Sequence, residues 1–151
     1  MYIQLTKNKK TLVDKDDYKL LSKYKWHING NGYAETAIYA GLRQMKKVTM
    51  HKMLLTPPLG MQIDHINGDK IDNRKSNLRI CTPSENRRNC PKRKSNTSGY
   101  KGVSKASTNR WKSTIRYEGK VHLIGVFKTK EEAYAAYCTE CVIRHGAFAC
   151  L

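Results

Sequence analysis

The chain has 151 residues, 29 of them Lys or Arg against 12 Asp or Glu, a formal net charge of +17 and a 39% hydrophobic share. That length suits one ordinary domain or two small ones, and that composition excludes wholesale disorder. No apolar run reaches the ~18 residues of a membrane span, and Met1-Tyr2-Ile3-Gln4-Leu5 lacks the layout of a signal peptide. Five unevenly spaced cysteines argue against a disulfide framework. A cytoplasmic protein with no membrane partner is therefore expected. The charge is spread: 11 basic and 4 acidic residues over 1–60, 9 and 4 over 61–98, and 9 and 4 over 99–151. Distributed positive charge suits an elongated polyanion, which makes nucleic acid the leading partner before any motif is read.

In chain order, residues 2–5 and 11–13 read as a short hairpin around the polar stretch Thr6–Lys10. Asp14-Lys15-Asp16-Asp17 offers a cap and first-turn acids, and the spacing of Tyr18, Leu20, Leu21 and Tyr24 predicts a short amphipathic helix. Residues 26–28 and 33–39 flank Asn29-Gly30-Asn31-Gly32, a turn sequence that tolerates positive φ, so a second hairpin is expected. Pro57, Pro58 and Gly60 interrupt the apolar stretch from His51 to Leu55. Farther on, residues 91–98 are basic, polar and free of apolar periodicity, which marks a linker between two small modules.

Residues 62–90 carry the candidate chemistry. Gln62 to Ile66 reads as a strand, Asn67-Gly68-Asp69 as a turn, and Asn77 to Cys81 as a second strand. Thr82-Pro83-Ser84-Glu85 is a capping box with Pro at the first helical position, and Asn86 falls on the first turns of that helix. Folded together, these elements bring Asp64, His65 and Asn86 close. A carboxylate oxygen and an amide oxygen suit Mg²⁺ or Mn²⁺, and an imidazole with a reference pKa of ~6.5 suits deprotonation of water at neutral pH. Arg74, Arg79, Arg87 and Arg88 are placed to clamp phosphate. From residue types alone, Asp64 and His65 equally read as a turn-stabilising pair, Asn77 as a loop cap and Asn86 as a solvent-facing helix residue. His51 lies near the site or packs beneath its loop.

The string Ile63-Asp64-His65-Ile66-Asn67-Gly68-Asp69, then Asp72-Asn73-Arg74, Ser76-Asn77-Leu78-Arg79 and Glu85-Asn86, resembles the HNH endonucleases, closest to the homing endonucleases of phages and introns. The resemblance covers about residues 48–90. It implies a ββα-metal finger in which His65 is the general base, Asp64 and Asn86 are metal ligands, and Asn77 braces the loop and orients His65. It implies hydrolysis of DNA phosphodiester bonds with one divalent cation. The third position of the family motif, often His, is Asn86 here. Some members hold structural zinc through paired Cys-x-x-Cys motifs flanking the site. This chain lacks those pairs, so no structural zinc is expected, and Cys81 and Cys90 read as small hydrophobes or exposed thiols.

In residues 99–151, Gly99 to Val103 reads as the opening strand, Arg110 to Glu118 as an alternating second strand, and Val121 to Phe127 as a third after the turn at Gly119-Lys120. Thr129-Lys130-Glu131-Glu132 starts a helix with Ala133, Ala136, Tyr137 and Cys141 on one stripe. Alternation turns Trp111, Ser113 and Ile115 toward that helix and Arg110, Lys112, Thr114 and Arg116 away from it. The order of these motifs resembles the AP2 DNA-binding domain, which implies a three-stranded sheet in the major groove with Arg110, Lys112 and Arg116 as contacts. Val121 and Leu123 stand where that family often carries Arg and Trp.

The expected protein is thus of the α+β class. Its N-terminal nuclease domain (1–92, finger about 62–90) joins a C-terminal AP2-like domain (99–151) through a basic linker (93–98), where Lys92 and Arg93 add to the DNA-binding set. A monomer or weak dimer acting on double-stranded DNA with Mg²⁺ or Mn²⁺ and no small-molecule cofactor follows, in a phage-infected bacterium or its host. The rival reading is a sequence-specific DNA-binding regulator whose HNH finger is inactive.

Overall fold

Alternating apolar and polar residues at the start of the chain form a short antiparallel ribbon, with β1 (Tyr2–Gln4) paired to β2 (Lys10–Leu12) and Ile3 opposite Thr11. Helix α1 (Lys15–Leu21) follows. It is shorter than the apolar spacing predicts, because the indole N–H of Trp26 donates to the Leu21 carbonyl and turns the chain away. Asp14 starts the helix without a side-chain cap; its carboxylate instead accepts the backbone N–H of Lys75, 61 residues on. The structure is a computed structural model that describes residues 1–41 and 43–151.

The chain divides into two compact units, Met1–Asn86 and Arg87–Leu151. In the first, β3 (His27–Ile28) and β4 (Ala34–Tyr39) form the expected second hairpin, and β5 (Met45–Thr49) adds a third antiparallel strand. That strand was not evident from the sequence: four of its five residues are polar or solvent-facing, and its exposed Met45, Lys46 and Lys47 break the alternation that marks a half-buried strand. Helix α2 (Met50–Leu54) follows immediately. Ile3, Leu5, Val13, Leu21, Trp26, Ala34 and Met50 make the core, where burying each Leu or Met side chain contributes roughly 1.5–3 kcal/mol.

After α2 comes the ribbon of β6 (Gln62–His65) and β7 (Leu78–Cys81), in the register Gln62–Cys81, Ile63–Ile80, Asp64–Arg79 and His65–Leu78, and Ile71 of its connecting loop packs against this core. Helix α3 (Pro83–Arg88) continues the chain. The predicted capping box is formed. The hydroxyl of Thr82 accepts the N–H of Glu85 at 3.2 Å, and the Glu85 carboxylate accepts the N–H of Thr82 at 2.7 Å.

The second unit is a three-stranded antiparallel sheet, ordered β10-β9-β8, covered on one face by a helix: β8 (Val103–Ser107), β9 (Arg110–Tyr117), β10 (Lys120–Phe127) and α4 (Lys130–His145). The first strand begins at Val103 rather than Gly99. Residues 96–102 form turns in which the Ser98 hydroxyl contacts the carbonyls of Tyr100 and Val103. Gly102 requires its residue type: at φ +75°, a Cβ there would lie 2.1 Å from the Tyr137 ring. Thr129 and Glu132 form the capping box of α4, and Ala133, Tyr137, Cys141 and His145 are its buried stripe. No helix among the described residues is long and apolar enough to cross a membrane.

Candidate active site

Strand alternation puts Gln62 and Asp64 on one face of the β6–β7 ribbon and Ile63 and His65 on the other. Asp64 is buried, and both Nε and Nη2 of Arg79, its cross-strand partner, donate to its Oδ2 at 2.9 and 2.7 Å. On this same face the Cys81 thiol, opposite Gln62, is pushed up first by burial and then by the charges of Asp64 and Glu85. Asn86 reaches this face as well: its Nδ2 donates to Gln62 Oε1 at 2.7 Å. The structure therefore gathers Asp64 and Asn86 on one side of the ribbon.

His65 ends the strand with its ring turned to the other face, 4% exposed. It meets His51 edge-on at a centroid distance of 5.2 Å and Tyr33 at 5.8 Å. Burial holds its pKa below the usual imidazole value, opposed by the Asn73 hydrogen bond and by Asp64, Asp69 and Asp72. At neutral pH the ring is a neutral base. Its Nε2 faces Asn73 Oδ1 at 3.4 Å. An amide oxygen only accepts, so the hydrogen-bond network assigns the proton to Nε2 and the lone pair to Nδ1. The Asn73 amide is oriented in turn, because its Nδ2 donates to Thr11 Oγ1 at 2.9 Å and Thr11 Oγ1 donates to the Ile71 carbonyl at 2.7 Å.

Asn77 lies under the intervening loop. Its Oδ1 accepts the N–H of Asn67 at 3.0 Å, and its Nδ2 donates to the Asp72 carbonyl at 2.8 Å. The Asn67 side chain ties back to Asp72, whose carboxylate is held below its usual range chiefly by its hydrogen bond with Arg74. The loop is anchored to β2 by the pairs Leu12 N–Ile71 O and Asn73 N–Leu12 O. Asn77 thus braces the loop, while the contact to the His65 ring comes from Asn73. Asn73 stands in the motif string, but nothing in residue order says which amide reaches the ring. His51 lies beside the site: its Nε2 is 3.1 Å from Thr49 Oγ1, its buried Nδ1 has no hydrogen-bond partner, and burial pushes its pKa down to about 4.

Of the predicted phosphate clamps, Arg74 and Arg79 are engaged with Asp72 and Asp64. Arg87, Lys92, Arg93 and Arg116 line a cleft of about 1010 Å³ in the second unit. Arg110, Lys112 and Arg116 are exposed on the sheet face away from α4, and Arg88 is half-buried at the end of α3.

The family described as HNH endonuclease matches residues 57–88, the span of β6, the loop, β7 and α3. Residues 57–88 are thus similar to an HNH endonuclease domain. The chain is similar to an uncharacterized HNH endonuclease of Acanthamoeba polyphaga mimivirus, 33% identical over 131 residues, or 83% of this chain and 65% of that protein. It is also similar to protein 3.8 of Escherichia phage T7, 44% identical over 66 residues, or 43% of this chain and 54% of that protein. The chain thus spans about two thirds of one relative and about half of the other. No solved structure matches it.

Proposed function

We propose that the protein is a divalent-metal-dependent DNA endonuclease of the homing type, built as a ββα-metal finger followed by an AP2-like reader of double-stranded DNA. The observation that carries this reading is His65: a buried, neutral imidazole with an oriented tautomer, one residue from a buried carboxylate, inside the matched HNH segment. His65 Nδ1 takes the proton of the attacking water, Asn73 holds the ring, and Asn77 keeps the loop in place.

The residues fit a hard cation by donor chemistry, with the Asp64 carboxylate and the Asn86 amide on one ribbon face. Among the described residues no three His, Cys, Asp or Glu side chains converge as a metal cluster, so a cation held by Asp64 and Asn86 would keep most of its waters. Mg²⁺ or Mn²⁺ there would supply charge stabilisation at the scissile phosphate. Arg87, Arg88, Lys92 and Arg93 would neutralise the DNA backbone, with Arg74 and Arg79 adding charge as they hold their carboxylates. Arg110, Lys112 and Arg116 would face the groove. Domain limits of 1–92 and 99–151 joined by residues 93–98 are part of this proposal.

The Asp64–Arg79 ion pair favours a second reading, a DNA-binding regulator whose finger is structural, because that pair already satisfies the proposed metal-ligating carboxylate. A supercoiled plasmid library incubated with Mg²⁺ or Mn²⁺, with an EDTA control, separates the two. The nuclease reading expects nicked or linear product that His65→Ala lowers by roughly 10²–10⁴-fold, with duplex affinity retained. No product from the parent protein on any library member, with DNA still bound, would leave the regulator.

A further inference from the structure

The solvent face of the second unit's sheet combines two kinds of side chain that rarely share one. In the register of β9 and β10, Arg116 lies opposite Val121, Thr114 opposite Leu123 and Lys112 opposite Val126. Directly opposed residues share a face. The central strand therefore presents a row of cations, and the edge strand beside it presents a row of aliphatics, with Val121 56%, Leu123 62% and Val126 47% exposed. A solvated antiparallel face alternates polar residues outward. Three aliphatics in one row are a surface waiting to be covered.

What covers it must accept both rows. A second copy would bring two cationic faces together, an arrangement that a chain of net charge +17 disfavours. The cationic surface continues from Arg116 and Val121 into the cleft lined by Arg87, Lys92 and Arg93, so the anion it suits is extended. The major groove of duplex DNA offers phosphates at its rims and, at every A·T pair, the C5-methyl of thymine on its floor.

We infer that the outer face of this sheet reads thymine methyl groups, with Val121, Leu123 and Val126 packing on the methyls while Arg110, Lys112 and Arg116 hold the strand in register. This rests on the duplex-DNA reading of the second unit proposed above and names its base preference. Thr114 stands between Lys112 and Arg116 on the central strand and Ser104 beside Lys112 on β8, polar groups that can donate to or accept from base edges. Removing a methyl removes apolar contact but no charge, so the two rows can be tested apart.

The test is fluorescence anisotropy of the full chain in EDTA, which suppresses metal-dependent cleavage, on two duplexes of equal length: alternating dA–dT and alternating dA–dU. The thymine duplex is expected to bind at least ~4-fold tighter, the effect of one buried methyl. Val121→Ser with Leu123→Ser is expected to weaken thymine binding and equalise the two duplexes, with circular dichroism unchanged. Lys112→Ala with Arg116→Ala is expected to weaken both alike. Equal affinity for the two duplexes, with the cation variant still weakening both, overturns methyl reading and leaves the sheet as a DNA-binding face. Undiminished binding by both variants removes the sheet from DNA altogether, and the parent reading of the second unit falls with it. A concentration-dependent dimer abolished by Leu123→Ser, with DNA binding untouched, would make the face a contact between copies and overturn the inference.

Discussion

Lowering the pH from 7.5 to 4.5 is expected to destabilise the first unit by an amount set largely by His51. Its ring is 6% exposed, packed edge-on against Tyr33 and His65, with its Nδ1 unpartnered. Burial, then the charges of His65 and Lys52, push its pKa to about 4 in the folded protein. The unfolded chain has the ordinary value of ~6.5. Between those two values the unfolded state binds more protons, so the stabilisation is complete above ~6.5 and is lost as the pH falls toward about 4. At 1.36 kcal/mol per unit, the loss between pH 7.5 and 4.5 comes to about 2.5 kcal/mol. His65 shifts in the same direction and adds to the slope, so the contribution of His51 is read as a difference. His51→Phe keeps an aromatic ring in the cluster and removes the titration. Urea unfolding followed by Trp26 fluorescence, in a Trp111→Phe background so that only the first unit reports, gives the stability at each pH. The wild type is expected to lose about 2.5 kcal/mol more than His51→Phe across this range. Parallel pH profiles for the two proteins would refute the reasoning.

Two further substitutions probe the frame around the site and the second unit. Asn77→Ala strips the loop of both bracing bonds and leaves the Asn67 N–H and the buried Asp72 carbonyl short of partners. A loss of about 2–4 kcal/mol in denaturant unfolding is expected, with cleavage falling as His65 loses its fixed surroundings. Gly102→Ala forces a Cβ to 2.1 Å from the Tyr137 ring at a φ of +75°. About 2–5 kcal/mol of destabilisation is expected, read as a lower thermal midpoint by circular dichroism. A variant as stable as the parent would show that Tyr137 moves aside without loss.

The elements legible in the sequence were those whose signal is local. Thr82-Pro83-Ser84-Glu85 and Thr129 through Glu132 announce helix starts within four residues, and both capping boxes are formed. The alternation from Arg110 to Arg116 sorts the faces of β9 because every second residue must enter the core. β5 escaped because its polar, lysine-rich sequence pairs through the backbone with β4, and such pairing leaves no side-chain period. β8 opens later than its sequence suggests for a related reason: residues 99–102 look like a strand start, but the Ser98 and Gly102 turns claim them.

The site divides along the same line. The order Asp64-His65, then Asn77, then Asn86 is visible as a string, yet which amide holds the imidazole is decided by residues far away in the chain. Thr11 orients Asn73 across 62 positions, and Lys75 is fixed by Asp14 and Asp17 across 61 and 58. The N-terminal ribbon and helix are therefore not an appendage to the finger. Their hydroxyl, carbonyl and carboxylate groups complete the hydrogen bonds of a loop that has only a two-stranded ribbon and a short helix of its own. A finger cut from residues 57–88 would leave Asn73 without Thr11 and Leu12, and the His65 ring without the packing of Tyr33 and His51. The imidazole would then regain solvent, and the burial that keeps it neutral would be lost. In the proposed nuclease the matched segment would supply the reacting groups, and the residues before it the environment in which His65 would act as a base.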